Sequence, residues 1–254
     1  MAIKFICLNI WLGGLLFDEA LEFLKQADAD VVLLQEVFNS EEPSAERRFR
    51  TVEELQKVLG YPHQDFALEF QQIFPFGNVP RGNAILSKFP ITESQSHWLT
   101  GEYGEYEDIL ENFPKFQHVL QQVTIEANGT KLNVFNFQGV WDLDGERDSP
   151  DRLQMSQNIL KAIEGKENVV LAGDTNANPN THTIRNIEAK LTNIYKDELT
   201  TSFNLRRKDL EKYPGYATAV VDMAFVSPNL KVLDHQCPDI DVSDHLPLIF
   251  TLEV

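Results

Sequence analysis

The chain predicts an α+β domain in which two packed sheets carry helices on their outer sides. Three observations lead there. Apolar, β-prone runs recur from Ile3 to Val254, so strands are numerous. Asn128-Gly129 separates two such runs, and Asn-Gly in that setting is the strongest short hairpin signal. Helical periodicities fall between the strands, yet the hairpin breaks any pure β-α-β alternation, which leaves a mixed two-sheet domain as the best fit. The 254 residues contain no repeat, linker or low-complexity segment, so residues 1–254 are expected to form a single domain with ample core.

Taken in order, Ile3–Asn9 is apolar and reads as a strand. Phe17–Gln26 has Phe17, Ala20, Leu21 and Leu24 at helical spacing. Val31–Leu34 is a buried strand ending at Gln35-Glu36. Ser44–Leu59 begins with a capping residue type and places Val52, Leu55, Val58 and Leu59 on one face, a second helix. Asn83–Ser87 is a short strand stopped by Phe89-Pro90, and the acidic stretch Gly101–Asn112 has no legible order. Val119–Glu126 and Lys131–Phe137 are the hairpin arms. Pro150 opens a helix to about Ile163, with Leu153, Ile159, Leu160 and Ile163 inward. Val169–Ala172 is a strand, His182–Lys190 a helix, and Ala217–Val226 and Leu246–Val254 are closing strands.

Hydrophobic residues make up 43% and charged residues 24%, ordinary for a globular chain. The formal net charge of −17 excludes a protein held on nucleic acid by a broad basic face. It leaves a nuclease open, because a divalent metal and a few local cations can offset the field in one cleft. Cys7 and Cys237 are too few for a disulfide framework, although one bridge could join them. No signal-length apolar region stands at the N-terminus, and no run approaches 18 apolar residues. A soluble, cytoplasmic monomer is expected.

Polar residues gather at strand ends: Asn9, Glu36, Asn83, Gln138, Asp174, Asn176, Asp222, Asp244 and His245. Two short tags stand out, Gly173-Asp174-Thr175-Asn176 after Val169–Ala172 and Ser243-Asp244-His245 before Leu246-Pro247-Leu248-Ile249-Phe250. A carboxylate or imidazole beside a buried strand needs a partner or an ion. The set is carboxylate, carboxamide and one imidazole, and oxygen donors of that kind suit a hard cation such as Mg²⁺ or Mn²⁺. There is no zinc spacing, serine elbow, P-loop or dinucleotide fingerprint. A hard metal, a carboxylate that holds water and a chargeable imidazole are what phosphoester hydrolysis requires. Taken singly, each residue also has a structural reading: Asn9 a turn cap, Asp174 and Asn176 an Asx-turn, His245 a satisfied core histidine.

Six segments in one order resemble the endonuclease/exonuclease/phosphatase superfamily of metal-dependent phosphoesterases. They are Leu8-Asn9, Leu34-Gln35-Glu36, Gly82–Ser87, Gly173-Asp174-Thr175-Asn176, Val221–Ser227 and Ser243-Asp244-His245, spanning nearly the whole chain. The resemblance implies a four-layer α/β-sandwich. It implies Glu36 as metal ligand with Asn9 beside it, and Asp244 as a further carboxylate at the metal site. It makes Asp174 the group that orients or deprotonates water, Asn176 a holder of a phosphate oxygen, and His245 a phosphate contact oriented by Asp222. The reaction implied is in-line attack of water on phosphorus.

One position departs from that pattern. Gln138 stands where the family often has His, and it can donate a hydrogen bond but cannot be protonated. The expected function is therefore an Mg²⁺- or Mn²⁺-dependent phosphodiesterase acting on nucleic acid or another phosphodiester. The alternatives are a phosphomonoesterase on a phosphorylated lipid or small metabolite, and a catalytically degenerate binding protein. Substrate choice is expected in the loops Asn39–Arg50, Gly101–Lys115, Val140–Ser149 and Leu205–Tyr216. Arg47, Arg48 and Arg50, and Arg206, Arg207 and Lys208, read equally as phosphate-steering clusters or solvated faces. Asp142, Asp144, Glu146 and Asp148 read as a solvated acidic loop ahead of a calcium site. Trp141 is a base-stacking or loop-packing residue.

Overall fold

The computed structural model describes residues 1–142 and 145–254, so Asp144 of the acidic run lies outside the described residues. One sheet contains β1 (Ala2–Asn9), β2 (Val31–Phe38), β3 (His63–Phe74), β4 (Gly77–Ser87), β6 (Glu105–Tyr106), β12 (Lys231–Gln236) and β13 (Leu248–Glu253), in the spatial order β12-β13-β1-β2-β4-β3-β6. The other contains β5 (Ile91–Thr100), β7 (His118–Ala127), β8 (Thr130–Gln138), β9 (Val169–Asp174), β10 (Thr192–Asn193) and β11 (Asp222–Val226), in the order β10-β11-β9-β8-β7-β5. Each sheet mixes parallel and antiparallel pairs: β1 runs parallel to β2 and β8 parallel to β9, while their other neighbours are antiparallel.

Side-chain alternation builds the layers. Ile3, Phe5 and Cys7 of β1 face Val134 of β8, Val170 and Ala172 of β9 and Ala224 of β11, forming the core between the sheets. The intervening Ile6 and Leu8 pack under α1 (Phe17–Ala27) and α2 (Thr51–Leu59). On the far side, Phe135, Phe137, Leu171 and Phe225 pack under α3 (Pro150–Ile163) and α4 (His182–Glu188). Helices, sheet, sheet, helices is the four-layer sandwich. Both faces of the central strands are buried, which is why they read as continuous apolar runs.

The hairpin forms as expected. Asn128 and Gly129 both adopt positive φ, 50° and 83°, as a two-residue turn of the I′ kind requires. Three long strands gave no sequence signal. β5 and β12 are sheet edges with mostly solvated side chains, and β3 carries Gln, Asp and Glu among its apolar residues. None shows the apolar run or clean alternation that marks a strand.

Boundaries shift for local reasons. The second helix begins at Thr51, because Arg47–Arg50 forms a 3₁₀ turn whose Arg48 carbonyl accepts from the Thr51 hydroxyl. Residues Pro214–Thr218 likewise form a 3₁₀ turn, so that strand starts at Asp222. On α3 the inward residues are Arg152, Met155, Ser156, Ile159 and Ile163, while Leu153 and Leu160 are half-buried. Cys7 and Cys237 are both free thiols. Among the described residues, no helix is long and apolar enough to cross a membrane.

Gly173 of β9 is paired with Phe137 of β8. A Cβ there would lie 2.0 Å from the Phe137 carbonyl oxygen, which is main chain and cannot swing aside. Gly173→Ala is expected to cost at least about 1–3 kcal/mol, read as a lower urea midpoint at unchanged m-value.

Candidate active site

The space between the sheets changes character along the strands. Stepping two residues along the same face, Cys7 is followed by Asn9 on β1, Ala172 by Asp174 on β9, and Val134 by Asn136 and then Gln138 on β8. β4 and β11 run the other way, so Arg81 and Asn83 within β4 and Asp222 at the start of β11 arrive at the same end. Register fixes the meeting: Asp174 is paired with Gln138 on one side and with Asp222 on the other.

Asn136 closes the apolar core beneath this cluster. Its side-chain N–H groups reach the Leu34 and Ala84 carbonyls of the opposite sheet at 2.9 and 3.0 Å and Gln121 Oε1 at 3.0 Å. Its oxygen accepts from Gln35 Nε2. It is fully buried.

Glu36 is placed by a β-bulge. Between Leu34 and Val37, β2 carries one residue more than β4, and Glu36 takes a φ of 58°. A left-handed residue that is not glycine costs of order 1–3 kcal/mol and persists where its surroundings enforce it. Here the enforcement is visible. Glu36 Oε1 accepts from Gln138 Nε2 at 2.8 Å, Arg81 Nη2 at 3.1 Å and Asn9 Nδ2 at 3.2 Å, and Oε2 accepts from the Leu12 amide at 2.9 Å. Burial works to raise this carboxyl, but Arg81, the Leu12 amide, His245 and Asn9 outweigh it and hold it at about 2. Glu36 is therefore ionised throughout the neutral range.

Asn9 Nδ2 also reaches Asp174 Oδ2 at 3.0 Å, so one amide spans both carboxylates. The Asn176 amide N–H donates to Asp174 Oδ1 at 3.0 Å, and Asn176 Nδ2 donates to the Gly139 carbonyl at 2.9 Å. Asp174 is almost wholly buried, and burial raises its carboxyl above the ordinary range. Asp222 Oδ2 lies 2.9 Å from His245 Nδ1, and the opposite ring nitrogen stands 4.0 Å from Asp174 Oδ2. Burial opposes charge on His245, yet Asp222, Asp244 and Asp174 prevail and raise it to about 9. Ser243 ties this tag to the sheet by donating to the Asn9 carbonyl at 2.6 Å and accepting from the His245 amide.

A cleft of about 210 Å³, small for a ligand site, opens above these groups. Glu36, Gln138, Asp174, Asn176, Asp244 and His245 line it directly. Asn9 lies beneath Glu36 and Asp174, and Asp222 lies behind His245. Asn83 is one step deeper, donating to Glu69 Oε1 at 3.1 Å. The Asp244 carboxylate accepts from Lys208 Nζ at 2.6 Å.

Trp141 stands edge-on to Phe113, and both line the cleft. Sequence reasoning missed Arg81, whose signal was a charged residue inside a strand-forming run, and His118, which burial and Arg81 hold neutral, at about 4, against a smaller opposing pull from the Gln138 main chain. Of the two readings of the basic clusters, the solvated face fits their five arginines, while Lys208 lines the cleft. Arg47, Arg48 and Arg50 pair with Asp18, Glu46, Glu53 and Glu54, and Arg206 and Arg207 pair with Asp239 and Asp241.

The Endonuclease/Exonuclease/phosphatase family profile matches residues 7–245, spanning every one of these site residues. The chain belongs to that family. Similar solved structures include an endonuclease/exonuclease/phosphatase from Beutenbergia cavernae, at 20% identity and a TM-score of 0.76 over 100% of this chain and 72% of that one. A mannosyl-6-phosphatase from Bacteroides thetaiotaomicron shares 16% identity, with a TM-score of 0.70 over 99% of this chain and 100% of that one. The human Nocturnin catalytic domain with bound sulfate anion shares 18%, with a TM-score of 0.71 over 99% of this chain and 93% of that one. No curated protein matches the chain. Members of the endonuclease/exonuclease/phosphatase family are hydrolases acting on phosphoester bonds.

The donor set bears on the family's general need for a divalent metal. Asp174, Asp222 and His245 bring ligand-type atoms within 4.8 Å of one another. The Asp222 and His245 atoms that meet already bond each other, so this pair orients more readily than it ligates. Glu36 is an ionised carboxylate lining the cleft whose Oε1 takes three donors while its Oε2 takes the Leu12 amide, so Oε2 is the oxygen that fits a hard cation better.

Replacing Asn136 by Leu strips partners from two main-chain carbonyls and two glutamines at once. Asn136→Leu is expected to lose at least about 2 kcal/mol in chemical denaturation.

Proposed function

We propose that the chain is a divalent-metal-dependent phosphoesterase that hydrolyses a short phosphorylated molecule by in-line attack of water. The observation that carries this reading is the convergence of an ionised Glu36, a buried Asp174 and an Asp222-bound His245 on one small cleft. Glu36, with Asn9 and Asp244 nearby, would hold Mg²⁺ or Mn²⁺, which when bound polarises a phosphoryl oxygen.

The chain's own groups supply the rest. Asp174, raised by burial, takes a proton from the attacking water. His245, held as the imidazolium, donates from Nε2 to a phosphoryl or leaving oxygen, and Asp222 accepts from Nδ1–H, which orients the ring and supports its charge. Asn176, left-handed at φ 49°, gives its main-chain N–H to Asp174 and one side-chain N–H to Gly139, and its second side-chain N–H would hold a phosphate oxygen. Gln138 supplies an N–H donor to Glu36 where an imidazole would otherwise stand, which speaks for a working variant over a degenerate one.

Cleft size and charge support the substrate class. The acidic segment 101–115 reaches the cleft through Asp108 and Phe113, and the chain's net charge is −17, both unfavourable to a long polyanion. Hydrolysis of p-nitrophenyl phosphate or its bis ester, lost in EDTA and restored by Mg²⁺ or Mn²⁺, is the direct test. Glu36→Ala and His245→Ala should each lower kcat/KM by about 10²–10⁴-fold. Full activity in either variant removes the reading.

The pH profile follows from the two shifts. Activity rises as Asp174 deprotonates, above the usual carboxylate range, and falls as His245 loses its proton near 9. Asp222 is the leading upward influence on His245, so Asp222→Asn should move the alkaline limb to lower pH. A limb that stays in place in that variant assigns it to another group.

A further inference from the structure

We propose that Lys208 is the contact for the second charge of a phosphomonoester, which makes a terminally phosphorylated small molecule the preferred substrate. This rests on the phosphoesterase reading above and narrows it.

The basic run Arg206-Arg207-Lys208 is split by the fold. Arg206 and Arg207 face outward onto Asp239 and Asp241, while Lys208 turns into the cleft beside His245, its side chain only 12% exposed. Its ammonium is held from three sides. Asp244 Oδ2 accepts at 2.6 Å, and the ring centroids of Phe203 and Tyr216 lie 4.3 and 4.9 Å from Nζ. Phe203 also packs against the His245 ring at 4.7 Å, so the lysine and the imidazole share one aromatic support.

An ammonium has three N–H donors. Asp244 takes one, which fixes the group in place, and the other two meet ring faces, which are weak acceptors beside a phosphate oxygen. Arg81, the other fixed cation of the cleft, is committed to the Glu36 side, with Nη2 on Glu36 and Nη1 on Gln72.

Ester chemistry turns this into discrimination. A diester has two unesterified oxygens and one charge, whereas a monoester dianion has a third oxygen and a second charge. His245 and the Glu36 side of the cleft suffice for the first two. A third donor held in place serves only the monoester.

The test uses the full chain with Mg²⁺ or Mn²⁺. Binding of inorganic phosphate is measured by calorimetry, and kcat/KM is measured on p-nitrophenyl phosphate and on bis(p-nitrophenyl) phosphate. Lys208→Met should weaken phosphate binding and monoester kcat/KM by about 10- to 100-fold, the worth of a charge-assisted hydrogen bond, and leave the diester rate unchanged. Lys208→Arg should recover part of the loss, and Arg206→Met should change neither. Lys208→Met should keep the parent's circular dichroism, melting temperature and activating Mg²⁺ concentration, so that the monoester defect is neither a loss of fold nor a loss of metal. Equal losses on both esters, or undiminished phosphate binding in Lys208→Met, overturn the proposal. Lys208-dependent phosphate binding without turnover of either ester would instead sink the phosphoesterase reading while upholding the phosphate contact.

Discussion

Asn136 bridges the two sheets, and the cleft end of the molecule is built on that bridge. Its amide spans from β8 to the Leu34 and Ala84 carbonyls, the paired residues at which β2 and β4 fall out of register. Below it the facing side chains are Val134, Leu33 and Ile85, and above it they are Gln138, Glu36 and Arg81. A buried amide with every group satisfied is strongly specifying, because any slip of one sheet against the other leaves several polar groups unpaired in a low-dielectric interior. The bulge that exposes Glu36 is thus anchored from across the sandwich.

Strain and rigidity meet at the same place. Left-handed residues cluster around Glu36: Trp11, Leu12, Gly13 and Gly14 on one loop, Glu36 on the bulge and Asn176 after β9. Each is tied to the next. The Leu12 amide holds Glu36, the Gly13 amide holds the Glu36 carbonyl, and the Trp11 amide holds Asn9. Loop backbone here is positioned by carboxylates and carboxamides whose remaining atoms face the cleft, so a single set of polar residues both shapes the loops and furnishes the chemistry.

Much of this was legible in the sequence, and the limits have physical causes. Strands buried on both faces announce themselves as apolar runs, and their polar terminators are conspicuous, so Asn9, Glu36, Asp174, Asp222 and His245 could be picked out one by one. Edge strands such as β5 and β12 bury too little to leave a pattern. Charges could be counted but not paired. Arg206, Arg207 and Lys208 look alike in sequence, and the fold alone sends two outward and one inward. Arg152 is the sharpest case. It sits on a helix face that should be apolar, yet it is buried, with its guanidinium on the carbonyls of Val140, Gly145 and Arg147. The acidic run beside it likewise has a structural use, since Asp148 accepts from the amides of His182 and Thr183 that open α4.

Charge balance in the cleft gives these placements a common logic. Glu36, Asp174, Asp222 and Asp244 converge on it, with Asp108 and Glu146 also lining it, against Arg81, Lys208 and a protonated His245. Six carboxyl groups against three cations leave an excess of negative charge in a partly buried space. Burial raises Asp174 among them although Asn9 and the Asn176 main chain donate to it, while Glu36 stays ionised because Arg81 is fixed to it. A cleft with that excess attracts a divalent cation and, by itself, repels phosphate. A bound divalent cation would offset most of that excess, and the donors that then face an incoming anion are His245 and Lys208, both held in place. The same residues that suit the site to a hard ion therefore make anion binding conditional on that ion, an ordering that arises from the count and burial of the charges.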